Sequence, residues 1–279
     1  MKLYTLPENS VTKHYNFLWR MTRDRWAWEY QRREREYIDD ATTISPDDVS
    51  EIEVCHSIKV YKSRVPQTLA ERWGLIMMVD PSLNAIEANA VWTKEAFPDQ
   101  VAINVVPRAP GEECEIYDKS VSLCKISHFT DAYGNEFLLT RGNGCLFQSR
   151  CTGLSLLSGQ PVKMDLALPD FESYDRKVKA HKEGMRVFGD DPHAETPKWT
   201  KRTQMLRDGL IALDCLDLDM SHREIANVLY GPERVNAEWE HGRMRDAINY
   251  IISRAKALRD GGFRVELLGS HLGPGKVAA

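Results

Sequence analysis

The chain has 279 residues, of which 42% are hydrophobic and 28% charged, and its formal net charge is −4. That length and composition support two domains and a core that needs no covalent staples. The negative balance excludes a polycation, so nucleic-acid binding would have to rest on a local patch. The longest apolar runs, such as residues 74–79, are far too short to cross a bilayer, and the first residues carry no signal-peptide pattern.

Residues 10–45 form the first predicted region, a helical segment. Trp26, Tyr30 and Tyr37 fall near helical spacing, so one face can bury aromatics. Arginines 20, 23, 25, 32, 33 and 35 crowd the same stretch among Asp24, Glu29, Glu34 and Glu36. Two readings follow. Trp26, Trp28, Arg32 and Arg33 form a docking surface for DNA or a protein partner, as Trp and Arg favour interfaces. Alternatively, the segment is an amphipathic helix with a solvated charged face.

Residues 50–170 read as a small antiparallel β domain. Residues 73–79 predict a buried strand ending at the Asp80-Pro81 turn, and residues 101–106 a strand closed by Pro107. Residues 121–126 suggest a third strand. The turns at Tyr133-Gly134-Asn135 and Arg141-Gly142-Asn143-Gly144 each lead into an apolar run, which is hairpin grammar. The second turn lacks the Lys-Ser/Thr pair of a phosphate loop and opens no helix. Residues 171–200 read as a linker, broken at residues 189–193 and at Pro197.

Residues 201–268 read as a three-helix domain. Leu206, Leu210, Leu213 and Leu216 set an amphipathic first helix. Ser221 and Glu224 form a capping box, with Met220 and Ile225 at the staple positions, and Gly231-Pro232 ends this second helix. From Gly242, Met244, Ile248, Ile251, Ile252, Ala255 and Leu258 build one buried face of a third helix. Asn249 and Ser253 centre the opposite face, flanked by Arg243, Arg245, Arg254, Tyr250 and Lys256. Arg and Asn there suit a recognition helix, since Arg pairs with guanine and Asn with adenine. Arg223 is placed to reach a phosphate. From residue 198 onward there are 13 basic and 11 acidic side chains, a modest excess. The connection from Gly231 to Gly242 exceeds the usual three- or four-residue turn.

No histidine pair has a metal-ligand spacing, and there is no Gly-x-Ser-x-Gly elbow, so no enzyme, metal or cofactor is expected. The six cysteines are scattered without a Cys-x-x-Cys pair, which predicts reduced thiols in a cytoplasmic protein.

The segment Ser221-His222-Arg223-Glu224-Ile225-Ala226, continuing through Leu229-Tyr230-Gly231-Pro232-Glu233-Arg234-Val235, Trp239, Arg245, Asp246, Ala257-Leu258 and Gly261-Gly262-Phe263, resembles a proteobacterial family. That family, once listed as a domain of unknown function, is described as a helix-turn-helix variant and as a type VI secretion-linked transcription-factor DNA-binding domain. Trp26-Ala27-Trp28-Glu29-Tyr30 with Arg32-Arg33 and Tyr37 resembles the transcriptional regulator-like domain that often precedes it, although Glu34-Arg35 stands where members usually carry Asn-Pro. Trp73-Gly74-Leu75 with Asp80-Pro81 also fits members that carry both domains. The resemblance implies a transcriptional regulator that binds promoter DNA. Long two-domain members activate excision and conjugative transfer of integrative and conjugative elements. Short members act as antiactivators that grip another regulator. The alternative for this chain is therefore a protein-binding module directed at a regulator or RNA polymerase.

Overall fold

The computed structural model describes residues 8–43, 48–168, 171, 173–189 and 198–270. The N-terminal part is helical: α1 (Glu8–Lys13), a single tight turn at Asn16–Arg20, α2 (Arg23–Gln31) and α3 (Arg35–Ala41). Residues 24–31 of α2 are all buried. Its charges survive there because each is paired within a few ångströms. Arg25 Nε donates to Asp24 at 2.8 Å, and Arg32 and Arg33 both donate to Glu29 Oε2 at 2.8 and 2.7 Å. The other Glu29 oxygen accepts from the Ala85 amide at 2.7 Å. Burial is tolerated only under such pairing.

This changes the reading of the aromatic, arginine-rich stretch. Trp26 and Trp28 are 2% and 0% exposed. Trp28 Nε1 donates to the Leu83 carbonyl at 3.0 Å, and its ring meets Tyr37 edge-on, which in turn meets Trp73. Trp26, Trp28, Arg32 and Arg33 therefore present no common docking face; the aromatics are core and the arginines neutralise buried acids. A helix with an interior on every side has the same composition as an interface helix.

A seven-stranded sheet follows: β1 (Val49–Cys55), β2 (Ile58–Ser63), then after α4 (Thr68–Arg72) β3 (Val101–Pro107), and after α5 (Glu115–Leu123) β4 (Lys125–Thr130), β5 (Glu136–Gly142), β6 (Cys145–Gly153) and β7 (Val162–Ala167). The spatial order is β1-β2-β4-β5-β6-β3-β7. The fold class is α+β, but the sheet is larger than a hairpin series and is mixed. The β2–β4 and β3–β6 pairs are parallel, while β4–β5–β6 is the antiparallel meander the two turns predict.

Two strand expectations fail for identifiable reasons. Residues 115–123 are helical, so the strand expected over 121–126 begins only at Lys125. Residues 73–79 form no strand beyond one bridge between Leu75 and Trp92. Here Tyr37 serves the backbone instead, donating to the Val79 carbonyl at 2.7 Å and accepting from the Val79 amide at 3.1 Å. Gly74, at φ +76, lies so close to Ala96 that a Cβ would sit 2.6 Å from the alanine methyl.

The sheet has two covered faces. Ile103, Val105, Ile126, Leu138 and Phe147 pack with Cys114, Cys124 and Val187 on one side. That side is roofed by α5, by α6 (Tyr174–Gly184) and by the turn Met185–Phe188. Residues 174–188, expected within a linker, are thus helical and part of the core; the breaks expected at residues 190–193 and Pro197 lie outside the described residues. On the other face Phe129, Phe137, Leu139 and Leu146 pack against Ile76, Met77 and Val91. Gln148 pegs this covering segment, accepting from the Trp92 amide at 2.8 Å and donating to its carbonyl at 2.7 Å.

The C-terminal helices are α7 (Lys201–Leu216), α8 (His222–Tyr230), α9 (Pro232–Glu238) and α10 (Arg243–Ala257). α9 fills the long connection. Past α10, Gly261 turns the chain at φ +106 into a last turn, Arg264–Leu268. Leu206, Leu210, Ile248, Ile252 and Phe263 share a single core with Trp28, Tyr30, Tyr37 and Trp92. The first and last quarters of the chain therefore fold together.

Candidate nucleic-acid interface

The surface on α8 and α10 is built from the two caps that start it. Glu224 accepts from the Ser221 amide at 2.7 Å, and the Ser221 hydroxyl accepts from the Glu224 amide at 3.4 Å. The Ser221 hydroxyl also donates to Glu224 Oε2 at 2.7 Å, and this bond with the one from the Ser221 amide holds the Glu224 carboxyl below its ordinary value. The reciprocal box fixes the entry of α8 and so the direction of its first-turn side chains. Gly242, at φ +80, starts α10 without a side-chain cap.

His222 and Asn249 then meet across the two helices, with His222 Nδ1 2.9 Å from Asn249 Oδ1. With Nδ1 as donor, both amide hydrogens of Asn249 stay available, as does the second lone pair of its oxygen. Arg223 Nη2 donates to Asn236 Oδ1 at 3.2 Å, bracing α8 against α9. The Arg245 guanidinium lies 5.6 Å from the buried Trp239 ring, an arrangement that orients the cation while leaving its donors outward. Arg243, Arg245, Asn249 and Ser253 are all exposed, as are Tyr250 and Lys256.

Arg254 differs from the other predicted contacts. Its Nη2 donates to Glu266 at 2.6 Å, it is only partly exposed, and its Nε is buried. It ties α10 to the last turn. The surface is also not uniformly basic, since Glu233, Glu238, Glu240 and Asp246 lie exposed nearby and Arg234 is paired with Glu238 at 3.0 Å. His222 and Asn236 make contacts with Asn249 and Arg223 that the sequence pattern, which places them only on helix surface, does not show. Their signal was spatial, since 27 residues separate His222 from Asn249.

Elsewhere, His128 faces Glu136 at 3.2 Å inside the sheet, and burial holds its pKa down. Glu136 is further occupied by Ser155 and the Leu156 amide. This is a satisfied structural pair. Among the described residues no group of three His, Cys, Asp or Glu side chains is arranged to hold a metal ion. No helix among them is long and apolar enough to cross a membrane. None of the six cysteines, all of them among the described residues, is in a disulfide.

Comparison with known families gives two matches. Residues 11–76 match the proteobacterial transcriptional regulator-like domain. Residues 169–268 match the family described as "T6SS, Transcription factor, DNA binding domain". No curated protein matches the chain. The first match contains α2, α3 and Trp73; the second contains the whole α8–α10 surface. Together the two matched segments fit the architecture of a transcription factor, with a regulator-like domain in the N-terminal part and a DNA-binding domain in the C-terminal part.

Proposed function

We propose that α8 and α10 act as a helix-turn-helix in which α10 enters the major groove, and that the chain activates promoters of mobile-element excision or conjugative-transfer genes. The unit that reads DNA is residues 201–268, with α7 as its backing helix. The observation that carries this reading is the His222–Asn249 bond. It fixes an asparagine amide at the centre of an exposed row that also holds Arg243, Arg245 and Ser253. A fixed Asn can serve adenine with its amide hydrogens and its remaining lone pair, and an exposed Arg can serve guanine. Arg223 at the first turn of α8 suits a phosphate. Arg254 is left out of this set because Glu266 holds it. The activator assignment rests on the presence of both domains, the arrangement of the family's activating members.

Genome-wide occupancy of the tagged protein supplies the operator, and gel shifts then test the surface. Arg245→Ala and Asn249→Ala each lose about 1–3 kcal/mol of specific binding while the chain stays folded. Unchanged binding by both variants overturns the placement.

The exposed acids around the row favour a second reading, in which the same surface grips another regulator or RNA polymerase. Copurification of a regulator, with no DNA binding even at low salt, would select it.

A further inference from the structure

A cavity of about 310 Å³ opens where three parts of the chain meet. One wall comes from α4 and Trp73-Gly74, a second from the β4–β5 turn with Phe137 and Arg150, and a third from Arg264, Leu268 and Ser270 of the last turn. We propose that it binds a small organic anion with a flat, apolar body.

The walls supply the apolar part. Trp73, Trp92, Ile76 and Phe137 line it, and all four are buried in the fold. Its volume stands at the lower end of small-molecule sites, which run from roughly 300 to 1,000 Å³. A single aromatic ring with a short substituent matches that space.

The charges supply the anionic part. Arg264 is only 9% exposed, yet no carboxylate lies within 4 Å of its guanidinium among the described residues. It lies over the Trp73 and Phe263 rings, 5.4 and 5.1 Å from their centres. Burial pulls its pKa down, Glu34 acts on it only from a distance, and Arg72 repels it. Arg72 itself is satisfied by Glu36 and Asp40. No Arg264 nitrogen is sealed away from solvent without a partner, so the guanidinium opens onto the cavity, where an anion would give it charge-assisted bonds. Arg150 stands directly opposite Phe137 in the β5–β6 register and also has no ion pair among the described residues. Lys94, exposed on the rim, is the third such cation.

Three acids, Glu71, Asp131 and Glu95, also line the cavity, and among the described residues none of them forms an ion pair with these cations. Asp131 is taken up by its own turn, accepting from the Tyr133 and Asn135 amides at 2.9 and 2.8 Å. Glu71 is engaged by the Tyr133 hydroxyl. Glu95 lies exposed at the edge. Three unpaired cations around an aromatic slot select an anion with a π-face, by charge-assisted bonds at one end and ring contact at the other.

The test uses the full chain with benzoate, salicylate, phenyl phosphate and indole-3-acetate as probes and benzyl alcohol as the neutral control. Titration calorimetry and tryptophan fluorescence should show saturable binding of at least one anion and none of the alcohol. Arg150→Gln and Lys94→Gln should each weaken that binding roughly tenfold, the size expected for one charge-assisted hydrogen bond. Neither should lower the unliganded melting temperature, because neither breaks a pair; a purely structural Arg150 would lower it. No saturable binding of any of the four anions at millimolar concentration overturns the proposal. So does equal binding of benzyl alcohol, or anion binding that both variants leave unchanged.

Discussion

Arg33 grips Asp214 with two parallel bonds, Nε to Oδ1 at 2.6 Å and Nη2 to Oδ2 at 2.8 Å, and so clamps the turn between α2 and α3 to the last turn of α7. The Tyr15 hydroxyl donates to the same carboxylate. The fork geometry is the strong form of an Arg–carboxylate pair. It joins residue 33 of the regulator-like segment to residue 214 of the DNA-binding segment across 181 positions. The two family-matched segments thus share an ion pair, and α7 in turn packs on α10.

Asp214→Ala should therefore destabilise the whole fold, by about 3 kcal/mol, because it leaves Arg33 largely buried with Glu29 as its remaining partner. Burial raises the Asp214 carboxyl, but Arg33 and Tyr15 outweigh burial and leave it below the ordinary aspartate value. A carboxyl lowered on folding stabilises above its unfolded pKa, and that contribution is lost as pH falls through the folded value. Urea unfolding of the wild type should weaken below about pH 4, and Asp214→Asn should flatten that part of the profile. An unchanged acid limb in the variant contradicts the assignment.

Glu34 behaves in the opposite sense. Burial pushes its carboxyl up to about 7, against the pull of Arg264, and its Oε2 is buried without a hydrogen-bond partner. An unfolded glutamate ionises near 4.3, so between that value and 7 the native chain holds the extra proton. Stability attributable to Glu34 falls as pH rises through this window. Glu34→Gln should raise stability at pH 8 by about 1–2 kcal/mol, after allowance for its partial exposure, and have little effect at pH 5. Chemical denaturation at the two pH values decides it.

Local signals in the sequence were reliable where local chemistry governs. The Ser221–Glu224 box, the Gly231-Pro232 stop and the one-faced helix from Arg243 are short-range patterns, and all three elements stand where they predict. The β4–β5–β6 meander was legible from its two turns for the same reason. What escaped depends on distant partners. The apolar run at residues 74–79 reads as a strand, but Tyr37 and Gln148 organise it and its neighbour, from 42 and 56 residues away. Trp26 and Trp28 read equally as interface or core, and only the packing of α2 on residues 258–268, with Leu83 and Tyr37 around Trp28, decides for core. Within the candidate site, the Arg and Asn row follows from helical period, while the His222 contact and the capture of Arg254 by Glu266 need the tertiary fold.

Gly209 shows how closely the three segments approach. A Cβ at this position would lie 2.9 Å from the Tyr30 hydroxyl and 3.1 Å from the Ala255 methyl. Tyr30 cannot easily retreat, since it is fully buried and donates to the Leu206 carbonyl at 2.8 Å. Gly209→Ala gains about 1 kcal/mol of helix propensity, yet overpacking costs about 1–3 kcal/mol, so net destabilisation is expected. The cost should shrink in a Tyr30→Phe background, where the hydroxyl is gone. A double-mutant cycle by urea unfolding measures this coupling, and additive effects would refute the close approach.

His222→Ala tests whether Asn249 must be held to read its base. Removing the imidazole leaves every proposed DNA-contacting side chain in place but frees the Asn249 amide to rotate. The loss of one positioning bond should lower affinity for the operator by roughly five- to tenfold and leave non-specific affinity nearly unchanged. Arg243→Ala, by contrast, should weaken all sequences alike if Arg243 meets phosphate, and should reduce the slope of log affinity against log salt by about 1. Fluorescence anisotropy across a salt series separates the two. An equal loss on operator and random DNA for His222→Ala would show that the histidine supplies backbone affinity rather than orientation.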